Sequence, residues 1–233
     1  MSKAQFPRET VTGTFNRQES SFRKWIEHGT EFEPAPNRYH LYLSYACPWA
    51  HRTLITRALK NLEDVISASF VDPVRDDKGW RFSTEGSPYF DCVNGFNYLS
   101  EAYKSTNSNY DKRVSVPVLW DKETGQIVNN ESSDIIIMLN DAFSSYTNSD
   151  LDLYPEELKH EIDELNDFIY THINNGVYKC GFTTDQNVYE SEFNKLFNAL
   201  DRIDERLSAK TYLVQDKLTL ADIRLFPTLL PAR

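Results

Sequence analysis

Cysteine is scarce in this chain of 233 residues, which contains three, at positions 47, 92 and 180. Cysteines this few and this widely spaced exclude a disulfide framework and indicate a reducing compartment. No stretch approaches the roughly 18 consecutive apolar residues of a membrane span, and the first residues do not resemble a signal peptide. We therefore expect a cytoplasmic protein that has no membrane partner.

Positive charge is also in short supply, because 25 Lys and Arg residues stand against 35 Asp and Glu, for a net charge of −10. Such a chain is a poor partner for nucleic acid, although a local basic pocket for a small anion is compatible with it. Hydrophobic residues make up 40% of the sequence, which is enough for a packed core. The length fits one large domain or two small ones.

A cysteine directly before a proline is the most informative feature. Leu41 and Leu43 mark one face of a predicted strand, and the Ala-, Leu- and Arg-rich residues after Pro48 predict a helix over about 48–62. Proline favours the first helical position and disfavours helical backbone at Cys47. Cys47 is therefore predicted at a strand-to-helix turn, at the positive end of a helix dipole, where a thiolate is favoured.

Position 50 is alanine, so Cys47 has no partner in a Cys-x-x-Cys pair. A mixed disulfide formed on Cys47 would need an outside thiol to resolve it, and glutathione is the obvious candidate. His51 and Arg52, one turn further along the helix, would add positive charge near the sulfur. The alternative is a buried and inert cysteine, which is the commoner fate of a single cysteine.

The surrounding residues predict an α/β domain over residues 37–147, preceded by an N-terminal extension over 1–36. A strand at 65–71 completes a strand–helix–strand unit, which implies parallel pairing. Residues 72–112 are irregular except for a short helix predicted at 97–104, and loops of this length are usually functional. Trp80 is the most conspicuous residue of this stretch, and a buried core tryptophan is the alternative to a functional one.

Two antiparallel strands, at 114–120 and 126–128, complete this domain. A cis bond before Pro117 would expose the Val116 backbone to a ligand, although only ~5% of such bonds are cis. Ser132 or Ser133 is predicted to cap the helix that follows, and the first amides of that helix could hold a carboxylate. A plain helix cap is the alternative.

From residue 148 to 233 the sequence predicts an all-helical domain. Glu156 to Ile173 has apolar residues at helical spacing, and Asn174–Gly176 is expected to end that helix. Val188 to Leu207 predicts another helix. Thr219 and Asp222 have the spacing of a capping box, which predicts the start of a further helix.

The order of these elements resembles the glutathione transferase architecture, with a thioredoxin-like domain followed by a helical one. The sequence Cys47-Pro48-Trp49-Ala50-His51-Arg52 resembles the Xi class, the glutathionyl-hydroquinone reductases, which are called Omega-like in fungi. Five further segments match the same class in the same order. They are Gly79–Phe82, Arg113–Asp121, Asn130–Ser132, Ile173–Phe182, and Leu220–Leu229.

The resemblance implies roles for individual residues. Cys47 would be the catalytic nucleophile that takes glutathione from a glutathionyl-hydroquinone, and Tyr178 would protonate the departing carbon. Five further positions match residues that hold glutathione as co-substrate, with no metal involved: Trp80, Arg113, Val116, Glu131 and Ser132. A packing role at the end of a helix is the alternative for Tyr178.

The family continues beyond the segment matched by Pro227 and Thr228, so the resemblance implies a C-terminally truncated member. It also implies a homodimer, but both the dimer contacts and part of the second-substrate pocket would lie in the missing sequence. Helices without packing partners expose apolar side chains, so we expect low stability or aggregation.

Two alternative functions remain open at this point. The same cysteine would serve an Omega-like thioltransferase or dehydroascorbate reductase. A chain of this kind could also be a non-catalytic glutathione-binding remnant. Conventional conjugation of glutathione is less favoured, because it needs a Ser or Tyr hydroxyl where this chain has Cys47.

Overall fold

The computed structural model describes residues 9–11 and 13–230. The strands are β1 (Thr10–Val11), β2 (Thr14–Phe15), β3 (Tyr39–Leu43), β4 (Ser67–Phe70), β5 (Val118–Asp121) and β6 (Gln126–Asn129). The helices are α1 (Pro48–Leu59), α2 (Ser100–Thr106), α3 (Ser132–Asp141), α4 (Lys159–Ile169), α5 (Asn175–Phe182), α6 (Gln186–Leu207) and α7 (Leu220–Leu229).

The described residues form two compact units. The first contains residues 20–151, and the second contains residues 9–11, 13–19 and 152–230. The domain boundaries expected after residues 36 and 147 stay a prediction.

A four-stranded sheet in the order β4-β3-β5-β6 is the centre of the first unit. β3 pairs with β4 in parallel and with β5 antiparallel, and β5 pairs with β6 antiparallel. Tyr39 on one face of β3 packs against Phe143, just after α3, and Tyr42 on the other face packs against Phe82. The thioredoxin-like strand and helix order expected from the sequence is therefore confirmed, with β5 beginning later than predicted, directly after Pro117.

Residues 20–36 are part of this unit and pack on its core. Ile26 and Phe32 are buried in the same hydrophobic cluster as the sheet. The Lys24 amide donates to the Val128 carbonyl at 3.0 Å, and Arg23 makes two hydrogen bonds to the Asp134 carboxylate. This segment therefore lies beside β6 and the start of α3.

In the second unit, the predicted helix end at Asn174–Gly176 is wrong. One π-helical turn, Tyr170–Asn174, joins α4 to α5 without a break. The Asn174 side chain is fully buried and donates to the Arg224 carbonyl and the Thr228 hydroxyl on α7. A Cβ at Gly176 would lie 3.3 Å from a methyl of Leu196 on α6. Asn174 and Gly176 therefore allow the helices to pack closely and do not end a helix.

The start of α7 is as predicted. The Thr219 hydroxyl accepts from the Ala221 amide, and the Asp222 carboxylate accepts from the Thr219 amide at 2.9 Å, which completes a capping box.

Candidate active site

Cys47 is the N-terminal cap residue of α1. Its backbone is extended (φ −110°, ψ 112°), and Pro48 occupies the first helical position. The Cys47 carbonyl accepts from the His51 amide at 3.0 Å, so the helical hydrogen bonds begin at this residue. The thiol is half-buried. The predicted position at a strand-to-helix turn is confirmed, and the partial positive charge of the helix start lies at the sulfur's own residue.

Val116 faces this cysteine. The Val116–Pro117 peptide bond is cis, and Pro117 immediately precedes β5. The Cys47 thiol donates to the Val116 carbonyl oxygen, with 3.5 Å between sulfur and oxygen. The structure therefore brings together two of the residues expected in the site, one just before α1 and one just before β5.

Glu131, and not Ser132 or Ser133, is the cap residue of α3, so that prediction is wrong. The Glu131 carboxylate accepts from the Ser133 amide at 3.1 Å and from the Ser133 hydroxyl at 3.0 Å. The buried Asn129 side chain accepts from the Glu131 amide at 2.7 Å, which sets the residue at which the helix starts. The Glu131 carboxylate therefore caps the helix in place of the predicted serine.

The Glu131 carboxyl is ionised in this environment. Burial raises its pKa, but hydrogen bonds from Ser133 and Ser20 and the charge of Arg52 outweigh burial and hold the pKa below its ordinary value. A carboxylate at this place can bind a ligand ammonium group.

Arg52 supports the same helix start from the interior. It lies on α1 with 1% of its surface exposed, and its guanidinium carbon stands 4.4 Å from the centre of the Trp49 ring. The guanidinium donates to the Ser132 hydroxyl oxygen at 3.3 Å. Because a guanidinium only donates, the Ser132 oxygen accepts here and keeps its own proton for another acceptor. The sequence indicated charge at Arg52, but not this contact.

Trp80 and Arg113 both lie in the connection between β4 and β5. The Trp80 ring is half-buried against the core, and its carbonyl accepts from the Leu99 amide at 3.0 Å. The Arg113 carbonyl accepts from the Tyr110 hydroxyl at 2.8 Å. Hydrogen bonds to the main chain therefore hold both residues in defined positions.

A basic cavity adjoins this connection. Its volume is about 370 Å³, and its walls include Lys78, Lys104 and Lys112 with a single carboxylate, Asp111. The cavity is a local concentration of positive charge on an acidic chain, next in sequence to Arg113. It is the kind of local basic pocket that stays compatible with a net charge of −10.

Tyr178 lies in the second unit, on α5. Its ring stacks with Phe15 of β2 at 6.2 Å and packs against Phe182 at 5.6 Å. The guanidinium carbon of Arg17 stands 4.3 Å from the centre of the Tyr178 ring, and Arg17 Nε donates to Asn175 at 2.9 Å. An aromatic and cationic cluster therefore fixes the tyrosine ring.

Within residues 9–11 and 13–230, no three His, Cys, Asp or Glu side chains are grouped so that they could hold a metal ion. The same residues include no helix both long and apolar enough to cross a membrane.

Two family models match the sequence: Glutathione S-transferase, N-terminal domain, at residues 46–142, and Glutathione S-transferase, C-terminal domain, at residues 137–233. Glutathionyl-hydroquinone reductase PcpF of Sphingobium chlorophenolicum is 46% identical over 226 residues, which are 97% of this chain and 72% of that protein. The crystal structure of glutathione-S-transferase Xi from Phanerochaete chrysosporium is 48% identical, with a TM-score of 0.89 over 92% of this chain and 74% of that one. The chain belongs to the Xi-class glutathione transferases.

Another similar structure contains glutathione. The glutathione-bound structure of YqjG, a glutathione transferase homologue from Escherichia coli K-12, is 44% identical and has a TM-score of 0.85. The match covers 90% of this chain and 71% of that one. The resemblance and the glutathione transferase fold expected from the sequence are therefore confirmed, while the roles of individual residues stay predictions.

Proposed function

We propose that this Xi-class chain reduces glutathionyl-hydroquinones, with glutathione as co-substrate and Cys47 as nucleophile. The observation that carries the proposal is the position of the Cys47 thiol at the start of α1, opposite the Val116 carbonyl. The name of the similar PcpF protein supports the same reaction.

The proposed reaction has two steps. The Cys47 thiolate attacks the glutathionyl sulfur, the bond from that sulfur to the ring carbon breaks, and the carbon keeps the electron pair. A proton, which we assign to the Tyr178 hydroxyl, then completes the hydroquinone. The thiolate of a second glutathione attacks the mixed disulfide, releasing glutathione disulfide and restoring the Cys47 thiolate.

We assign the binding of glutathione to Trp80, Arg113, Val116, Glu131 and Ser132. The Val116 main chain suits the cysteinyl residue, because it faces the reacting sulfur. Arg113 suits a carboxylate of the tripeptide. Glu131 suits the γ-glutamyl ammonium, and Ser132 with the first amides of α3 suits the neighbouring carboxylate.

We also propose a cytoplasmic location, because the reaction needs a reduced thiol pool and the chain has few, widely spaced cysteines. A homodimer, which the family resemblance implies, stays a prediction.

Turnover by Cys47→Ala and Cys92→Ala variants tests this function. Cys92 is an exposed free thiol and serves as the matched control. We expect Cys47→Ala to abolish turnover of a glutathionyl-hydroquinone and Cys92→Ala to keep the wild-type rate. Equal activity in the two variants would contradict the proposal.

Intact mass spectrometry after incubation with glutathione disulfide tests the intermediate. We expect one glutathione adduct, lost in Cys47→Ala. Absence of an adduct and of turnover, with glutathione still bound, would support the non-catalytic alternative. Faster turnover of dehydroascorbate than of glutathionyl-hydroquinone would support the Omega-like alternative.

A further inference from the structure

Glu131 uses its two carboxylate oxygens differently. Oε1 accepts from the Ser133 amide and hydroxyl, at 3.1 and 3.0 Å, and from Ser132 at 3.5 Å. Among the described residues, Oε2 accepts only from the Ser20 hydroxyl, at 2.9 Å. A carboxylate has about four lone-pair positions. Oε2 therefore keeps an acceptor position after α3 has been capped.

Ser20 is held in place by the main chain around it. The Phe22 main-chain amide donates to the Asn130 side-chain oxygen at 3.0 Å, and the Asn130 main-chain amide donates to the Phe22 carbonyl at 3.0 Å. This reciprocal pair ties the segment to the residue directly before Glu131. The Ser20 hydroxyl directs its single proton to Glu131 Oε2 at 2.9 Å, with the Asn130 carbonyl oxygen as a more distant acceptor at 3.4 Å, so the lone pairs of the hydroxyl oxygen are available to a donor.

We propose that Ser20 is part of the glutathione site and that Ser20 Oγ and Glu131 Oε2 together accept hydrogen bonds from the α-ammonium group of the γ-glutamyl residue. The two oxygens are 2.9 Å apart, so one ammonium nitrogen with three donors can reach both. The inference rests on the proposed function. It makes the N-terminal segment, which lies outside both matched family models, a contributor to substrate recognition.

Binding of two ligands by calorimetry tests this role. S-methylglutathione cannot form a mixed disulfide with Cys47, so it reports binding without turnover. Its deamino analogue, in which a glutaryl group replaces the γ-glutamyl group, lacks only the ammonium. We expect Ser20→Ala to weaken the binding of S-methylglutathione about tenfold, which corresponds to the loss of one hydrogen bond to a charged group. The same variant should weaken the binding of the deamino analogue less than about twofold.

Ser21 is the matched control, because its hydroxyl lies 3.5 Å from the Tyr110 hydroxyl and not at Glu131. Ser21→Ala should bind both ligands as the wild type does. Ser20→Thr keeps a hydroxyl and should keep the preference for the ammonium-bearing ligand. This second variant separates loss of the hydroxyl from disturbance of the segment.

The possible outcomes distinguish the inference from the function on which it rests. If Ser20→Ala weakens both ligands equally, or neither, Ser20 does not recognise the ammonium. If Glu131→Gln loses the preference for the ammonium but Ser20→Ala keeps it, only the Ser20 inference is overturned. If the wild-type chain binds neither ligand, the glutathione site itself is wrong.

Discussion

His40 is a fully buried histidine on β3, and it makes folding stability depend on pH. Its Nδ1 lies 2.7 Å from the Ser67 hydroxyl, and its ring packs edge-on against Tyr42. Burial, with smaller contributions from the charges of Lys122 and Arg57, lowers the pKa of His40 to about 3. The folded protein therefore keeps this imidazole neutral at pH values where the unfolded chain protonates it.

The sign of the effect follows from proton linkage. Between pH 6.5 and about 3 the unfolded state binds one more proton at this residue, so stability falls as the pH falls. We expect His40 to contribute a loss of about 2 kcal/mol between pH 7 and pH 5. Urea unfolding at both pH values should show a smaller acid loss in His40→Gln than in the wild type.

The exposed His160 on α4 provides the control, because its side chain is largely in solvent. His160→Gln should keep the wild-type dependence on pH. The explanation fails if the wild type and His40→Gln lose the same stability on acidification.

At the residue scale, the local sequence was sufficient to predict that Cys47 starts a helix, but not that Glu131 does. A proline after the cysteine fixes the helix start through its own ring, which is a local constraint. The start of α3 depends instead on Asn129, whose buried side chain binds the Glu131 amide. The role inferred for Ser20 depends on a contact over 111 residues, which no local pattern contains.

At the scale of elements, the start of α7 depends on one carboxylate that binds two separate amides. Asp222 accepts from the Thr219 amide and, through its other oxygen, from the Leu213 amide, each at 2.9 Å. Asp222→Ala should remove both bonds and lower the free energy of unfolding by about 2–4 kcal/mol. Chemical denaturation measures this loss.

Thr219→Ala is the companion variant, because it removes the cap hydroxyl and leaves both amide bonds of Asp222 intact. We expect a cost of about 1 kcal/mol. Equal losses in the two variants would contradict the expectation that the two amide bonds of Asp222 contribute more than the cap hydroxyl.

The capping box shows why some elements follow from sequence while others do not. Thr219 and Asp222 are three residues apart, so the residues that start α7 contact each other within a single turn. The path from α4 into α5 is decided by α6 and α7, which pack against Gly176 and Asn174. Asn and Gly are common at helix ends, and only tertiary contacts override that tendency here.

At the scale of the whole molecule, net charge and exposed aromatic surface have opposite effects on association. The charge of −10 opposes contact between copies at long range. At physiological ionic strength the screening length is about 8 Å, so this repulsion does not prevent close approach. At short range, exposed apolar side chains determine whether two copies of the chain associate.

The exposed face of α6 is the surface on which we expect this to happen. Tyr189, Phe193 and Phe197 follow one another at successive turns, with ring centres 5.8 and 4.3 Å apart. Phe193 is 38% exposed and Phe197 is 47% exposed. A continuous aromatic strip on a surface helix favours association, in keeping with the aggregation expected from the sequence.

Replacing two of these rings should reduce association between copies. Phe193→Ser with Phe197→Ser is expected to lower light scattering at equal concentration, and it should also lower the thermal midpoint because part of each ring is buried. Leu196→Ser, on the buried side of the same helix, should lower the midpoint without lowering the scattering, since Leu196 is 7% exposed and packs against Gly176. Scattering that is unchanged in the double variant would show that copies associate through another surface.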